Sequence, residues 1–240
     1  MTTTDSSSDG SRPSPDSDGR PTIGSDEAGK GPVLGPMVAA AVRAPPAVLP
    51  DAIDDSKRLS ATKRESIATT LRDHEDVAVG VAVVSTDRID DPETDMNSLT
   101  VAAHAEAIAA IARDGDAVTT DAGDVSESRF ARRVRDGVAA ASSDTAVDVH
   151  AEHGADATYP LVAAASIVAK VRRDAAIEAL DATYTEHGPI GSGYPSDPTT
   201  RAFLRSYVGE TGELPDCARA SWSTSADVLA AAEQSALSEF

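Results

Sequence analysis

The stretch IGSDEAGKGP, Ile23 to Pro32, decides how the rest of the chain is read. From Gly24 it runs Gly, four residues, Gly, Lys, which nearly matches a nucleotide-binding P-loop. It also sets Asp26 and Glu27 side by side, as a divalent-metal site would. A P-loop needs Ser or Thr after the lysine to ligate Mg²⁺, and a helix opening directly behind it with its N-terminus facing the phosphates. Here Gly31 holds the hydroxyl position, and the following PVLGP places two prolines and a glycine where the helix should start. Asp26 and Glu27 would also lie inside the anion cradle and repel a triphosphate. A P-loop NTPase is the weaker alternative.

The metal reading fits better. Hard divalent ions such as Mg²⁺ take oxygen ligands, usually one or two carboxylates plus water and substrate phosphate. A two-metal phosphodiesterase site needs several carboxylates converging from different strands. Asp121 in TTDAGD and Asp156 in EHGADATYP also follow strand-like stretches. One geometric objection stands, because neighbours in a strand point to opposite faces. Asp26 and Glu27 can both serve only if the strand ends there and the Ala28-Gly29 turn swings one of them round. In so acidic a chain, any single Asp can equally be a solvated surface group.

Outward from this stretch the chain alternates strand-like and helix-like patterns. After the Thr22–Gly29 strand and turn, residues 33–44 form a second strand. Residues 61–74 form a helix that Ser60 can cap. Val77–Ser85 is the clearest buried strand, and 97–112 is a helix with Leu99, Ala103, Ala107 and Ile111 on one stripe. A strand at 116–124 leads to a helix capped by Ser126; a strand at 145–153 leads to a long apolar helix over 159–184. The order β-β-α-β-α-β-α-β-α implies an α/β layered fold with a partly parallel sheet. Past Gly188 the chain is loop-rich, then forms a short helix and an Ala-rich end. Residues 1–21, rich in Ser, Asp, Gly and Pro, read as a disordered tail. The catalytic unit is expected over 22–208 and a helical extension over 209–240.

The 240 residues suffice for one sizeable core. A formal net charge of -19, 40 acidic against 21 basic residues, and 3% aromatics point to a protein adapted to molar salt. At such salt the Debye length is roughly 3 Å, so net charge does not exclude a nucleic-acid partner. It does require metal and backbone contacts in place of a broad basic patch. The lone Cys217 excludes an internal disulfide and a multi-thiolate zinc site. With no long apolar run and no signal-like N-terminus, a soluble, cytoplasmic protein without membrane partners is expected.

The segments GSDEAGKGPVLGPMVAAAV, DSKRLSATKRE, DAGDVSESRF, HGADATYPLVAAASIVAKVRRD and GSGYPSDPTTRAFL resemble, in order and spacing, the successive motifs of archaeal ribonuclease HII. The resemblance runs from Ile23 to Trp222. It implies an RNase H-like fold, a five-stranded mixed sheet flanked by helices with a C-terminal helical extension. It also implies four catalytic, metal-holding acids at Asp26, Glu27, Asp121 and Asp156, with Mg²⁺ or Mn²⁺ as cofactor. The implied reaction is two-metal hydrolysis of RNA in RNA–DNA hybrids and of ribonucleotides embedded in duplex DNA, leaving a 3′-hydroxyl and a 5′-phosphate. An inactive nucleic-acid-binding member of the fold is the non-enzyme alternative. The family senses the 2′-hydroxyl with a Gly-Arg-Gly turn and a tyrosine, whose counterparts are Gly29-Lys30-Gly31 and Tyr194. Lys in place of Arg is a departure: main-chain recognition should survive it, whereas a bidentate phosphate contact would not.

The chain's four lysines, Lys30, Lys57, Lys63 and Lys170, all fall inside these motifs, while Arg supplies the charge elsewhere. Lys30, Lys57 and Lys170 are candidates for phosphate contact; Lys63, on a helix face, reads as solvated. His150 and His153 lack a third zinc ligand. Trp222 reads as a packing anchor. The final QSALSEF, with Gln234, Leu237 and Phe240, resembles the peptide with which repair enzymes dock to the sliding clamp, proliferating cell nuclear antigen. It lacks the usual second aromatic, and an Ala-rich helical tail is the other reading. A monomer is expected.

Overall fold

The computed structural model describes residues 21–50, 53 and 59–238. A sheet of five strands is built from β1 (Thr22–Ala28), β2 (Met37–Ala44), β3 (Ala78–Val84), β4 (Ala117–Asp121) and β5 (Asp148–Glu152), in the order β3-β2-β1-β4-β5. β1, β2 and β3 pair antiparallel, while β1, β4 and β5 run parallel, so the sheet is mixed. The expected order of elements holds, with a short helix α2 (Thr86–Asp90) added after β3.

Each cap that the sequence offered is used. Ser60 accepts from the amide of Lys63 at the start of α1 (Ala61–Asp73), and Ser126 accepts from that of Arg129 at the start of α4 (Glu127–Ala141). Helix α3 (Met96–Ala109) and α4 cover one sheet face through Ile23, Ala39, Ile108, Phe130 and Val134. Helices α1 and α5 (Pro160–Thr183) cover the other through Val42, Ile67, Leu71 and Ile167. α5 lies so close that a Cβ on Gly24 would stand 2.1 Å from the Leu161 carbonyl carbon. Only glycine permits that approach.

The stretch read as the most buried strand, Val77–Ser85, corresponds instead to the edge strand β3. Ala82 and Val84 pack toward α3, but Val81 and Val83 on the other face are 40% and 43% exposed. On that face α1 helps to cover Val79 but leaves Val81 and Val83 largely open, and an all-apolar run carries no period that would reveal it.

The segment expected as a short helix is α6 (Pro198–Thr211), and α7 (Ser223–Ser238) follows. Residue 208, where the catalytic unit was divided from the extension, lies inside α6. A third apolar cluster joins Val33 and Leu34 with Phe203, Leu204, Cys217 and Val228. A bridge between Leu34 and Ala218 fastens the segment before α7 to the loop after β1.

Candidate active site

β1 pairs with β2 along its whole length, from Thr22 opposite Ala44 to Ala28 opposite Val38, but with β4 only from Ile23 to Ser25. The parallel ladder therefore ends just before Asp26 and Glu27, and Asp121 is the last residue of β4. No turn swings either acid round: both remain in the strand and keep opposite faces. The end of the β4 ladder is what opens Asp121 to both of them. Behind Gly31 the chain enters β2 rather than a helix, so the P-loop alternative has no structural support.

On the α5 side, Asp26 is 6% exposed. Its carboxyl is pushed up to about 7, first by burial and then by the charge of Glu27, with Asp121 adding to it. A hydrogen bond from Ser166 and the charge of Lys170 pull the other way. Lys170 in turn donates to the Ser166 hydroxyl. Ser166, Lys170 and Arg173 recur at i, i+4 and i+7 along α5, a polar stripe that begins within its apolar first half.

On the α3 side, Glu27 meets His104, with Oε2 and Nε2 2.9 Å apart. Burial alone would raise the Glu27 carboxyl; the hydrogen bond and charge of His104, with Lys30, outweigh it and hold the group below its ordinary value. Asp121 is raised by burial. It accepts from the Ala155 amide at 2.8 Å, which opposes the rise, and the charges of Glu27 and Asp156 lift it again. That amide contact ties β4 to the 3-10 turn Ala155–Ala157, which carries Asp156.

Four carboxylates from β1, β4 and this turn thus share one end of the sheet, near enough for their charges to shift one another. As they stand, no three acid, imidazole or thiol side chains among the described residues form a closed ligand set for one ion. Hard oxygen donors that repel one another suit Mg²⁺ or Mn²⁺, which take one or two carboxylates each and complete their shell with water and substrate phosphate. The donor set fits such ions, and the histidine pair does not form a site: His153 engages the Asp124 carbonyl and Glu127, while His150 reaches Glu152.

Beside the acids opens a groove of about 490 Å³ lined by Gly29, Lys30, Gly31, Lys170, Arg173 and Tyr194 among others. Gly29 has φ +88°, and a Cβ there would meet the Arg173 Cδ at 2.6 Å and the Pro36 carbonyl oxygen at 2.8 Å. Arg219, fully buried, donates to the carbonyls of Gly29 (2.6 Å), Lys30 (2.9 Å) and Gly35 (3.0 Å). Trp222 does more than pack: its ring lies against the Arg219 guanidinium and its Nε1 donates to the Gly31 carbonyl at 3.3 Å. Arg173 donates to the Ser192 carbonyl and lies 5.1 Å from the centre of the Tyr194 ring. Tyr194 itself is 40% exposed. The Lys30 ammonium engages the Gly123 carbonyl, and Asn97 lies beside it. Lys63 is exposed, as its helix face implied.

Lys57 lies outside the described residues, as do Phe240, the side chain of Leu237 and nearly all of the N-terminal tail; Gln234 is exposed on α7. Sequence reasoning missed His104, Ser166, Arg173 and Arg219. The stripe on α5 was a usable signal for Ser166 and Arg173, whereas nothing near Arg219 marks it.

Fold and site together define a metal-dependent hydrolase built on an RNase H-like sheet. The model of the family described as Ribonuclease HII matches residues 23–225, and the chain belongs to that family. It is 62% identical over 218 residues to Ribonuclease HII of Halobacterium salinarum, covering 91% of this chain and 99% of that one. It is 42% identical over 205 residues to Ribonuclease HII of Thermococcus kodakarensis, covering 84% of this chain and 86% of that one. Among solved structures, ribonuclease H2 from Pyrococcus horikoshii OT3 superposes with a TM-score of 0.77 at 33% identity, covering 89% of this chain and 99% of that one. RNase HII of Archaeoglobus fulgidus, solved as a PCNA:RNase HII complex, gives 0.73 at 35% identity, covering 84% of this chain and 95% of that one. The chain is a metal-dependent endoribonuclease acting on the RNA of RNA–DNA hybrids.

Proposed function

We propose that Asp26, Glu27, Asp121 and Asp156 hold Mg²⁺ or Mn²⁺ and that the enzyme nicks 5′ of ribonucleotides embedded in duplex DNA, leaving a 3′-hydroxyl and a 5′-phosphate. The observation that carries this is the mutual charge of the acids: Asp26 and Asp121 are both raised, each in part by a neighbouring carboxylate. Bound there, the metal supplies charge for activating the attacking water and stabilising the leaving 3′ oxygen. The protein's own groups bind and orient. Gly29 and Gly31, without side chains, let the main chain approach the sugar, and the 2′-hydroxyl is the group that separates RNA from DNA. Tyr194, laid on Arg173, offers a face to the same sugar. Lys30 and Lys170 stand at the groove to meet phosphates, and Lys57 is assigned with them on its motif.

The decisive assay incubates the protein at molar KCl with Mn²⁺ or Mg²⁺ and a DNA duplex carrying one ribonucleotide. A nick on its 5′ side, lost in Asp26→Asn and Asp121→Asn, is expected; ATP turnover without nicking, or neither activity, would overturn the reading.

The C-terminal Gln234, Leu237 and Phe240 are assigned to the sliding clamp, a reading supported by the clamp-bound Archaeoglobus relative. A clamp pull-down should retain the full chain and lose a chain ending at Glu233. No helix among the described residues is long and apolar enough to cross a membrane. A cytoplasmic monomer is the simplest form consistent with a single-chain site.

A further inference from the structure

His104 has no exposed surface, and nothing in the reaction described so far uses it. It stands in α3 between Ala103 and Ala105, its ring edge-on to Phe130 with centroids 5.2 Å apart. Nδ1 lies 2.9 Å from the Ser25 hydroxyl and 3.0 Å from that of Thr120. Ser25 already donates its proton to the Ala40 carbonyl at 2.9 Å, and Thr120 donates to the Asp121 carbonyl at 3.0 Å. A carboxylate only accepts, so the ring proton sits on Nε2 toward Glu27, and Nδ1 of the neutral ring accepts from the Thr120 hydroxyl, whose proton can turn from the carbonyl to the ring. One edge of the imidazole is thereby fixed to β1 and β4. The other edge points at Glu27, 2.9 Å away.

We propose that His104 is a positioning residue for Glu27, holding its carboxylate on the α3 side of the site in the orientation that binds the cation; this rests on Glu27 being a metal ligand. Two observations separate the role from ordinary core filling. Ser25 and Thr120 occupy only Nδ1, and the group that Nε2 meets is not another core hydroxyl or carbonyl but the carboxylate of Glu27, which lines the groove. Glu27 also has a longer side chain than the three aspartates, at the open end of the sheet, and a long side chain loses more rotamer freedom when it is fixed. Groups that hold a metal ligand in this way typically change metal affinity ~10–100-fold when removed.

The test is Mn²⁺ binding to the full-length protein at molar KCl without substrate, read by electron paramagnetic resonance of the free ion. His104→Leu should weaken Mn²⁺ binding ~10–100-fold. With hybrid substrate at limiting Mn²⁺, it should lower kcat and leave KM unchanged. In the double variant with Glu27→Gln, the leucine should cost nothing further, because His104 acts only through Glu27. Wild-type affinity in His104→Leu, or an additive loss in the double variant, overturns the proposal. If Glu27→Gln alone binds Mn²⁺ as tightly as wild type, the assignment of Glu27 fails, which is a different result. Should the leucine variant not fold, His104→Gln and His104→Asn decide instead. Both carry an amide donor, but only the longer one reaches Glu27, so the glutamine variant should bind Mn²⁺ several-fold tighter; equal affinities overturn the proposal.

Discussion

Asp26 and Glu27 are consecutive residues of one strand, both largely withdrawn from water, yet their acidities move in opposite directions. Burial and the charge of Glu27 lift Asp26 to about 7, while Glu27 is held below its ordinary value against the same pull of burial. The two faces of β1 account for the difference. Toward α5, Asp26 finds a neutral hydroxyl, Ser166, with Lys170 behind it. Toward α3, Glu27 meets an imidazole 2.9 Å away and the charge of Lys30. Alternation along a strand thus does more than separate two side chains: it gives two identical functional groups separate environments a single residue apart. The partners of Glu27 outweigh its burial; those of Asp26, the Ser166 hydroxyl, the Glu27 amide and the charge of Lys170, do not, and a cation would make up the difference.

The strongest way to break this asymmetry is to remove the acid whose partners fall short of its burial. Asp26→Asn should lower hydrolysis of an RNA–DNA hybrid by on the order of 10³-fold or more, with Asp121→Asn similar. Because the substitution also removes a buried charge from a repulsive cluster, Asp26→Asn should leave the metal-free fold as stable as wild type or more so at neutral pH, by urea unfolding at molar KCl. A variant both inactive and much less stable would mean that Asp26 serves the core rather than the site.

The pH dependence of the metal-free protein sharpens the same contrast. Asp26 has a folded value of about 7 against 3.8 for the free group, so its contribution to stability is present below about pH 4 and is lost as pH rises through 7. Glu27 runs the other way: its contribution is present above its ordinary value of 4.5 and is lost as pH falls below it. Unfolding free energies measured between pH 4 and 8 should therefore decline toward neutrality, and Asp26→Asn should flatten the decline. Mn²⁺ should reverse it, since a cation favours the ionised carboxylates.

Away from the acids, the turn after β1 depends on the far end of the chain. Arg219→Met would leave the carbonyls of Gly29, Lys30 and Gly35 without their donor, at a cost of about 2–4 kcal/mol to folding. Activity on a single embedded ribonucleotide should fall more than activity on a continuous hybrid, where many sites compensate for a displaced turn. Gly29→Ala, forced to φ +88° with its Cβ against Arg173, should cost about 1–3 kcal/mol and show the same bias. A uniform loss on both substrates would detach this turn from sugar reading.

The fold was legible from period, caps and glycines: the order of strands and helices, the Ser60 and Ser126 caps, and a partly parallel sheet all follow from local pattern. Asp26, Glu27, Asp121 and Asp156 were legible as acids at strand ends, though local pattern could not say that the β4 ladder stops at Ser25 and so admits both faces of β1. His104 hid because one polar residue in an alanine-rich stripe reads as part of a helix face. Arg219 hid because its partners lie some 190 residues away in sequence, at carbonyls with no side-chain signature. The exposed half of β3 hid because apolar composition reports neither edge nor face.

The smallest effect should come from the one departure in the turn, Lys30. Its ammonium leans on the Gly123 carbonyl and its charge acts on Glu27, so it belongs to the Glu27 side of the site. The path of the turn is set by Gly29, by Arg219 on its carbonyls and by Trp222 on Gly31, none of which involves the lysine side chain. Lys30→Arg keeps the charge and adds donors, so kcat/KM on either substrate should stay within about threefold of wild type. The preference between hybrid and single ribonucleotide should not move. Lys30→Ala removes the charge and should lower activity more than the arginine does, on both substrates alike. If arginine instead shifts the preference tenfold, the side chain at this position reads the nucleotide directly and the backbone no longer suffices as the sensor.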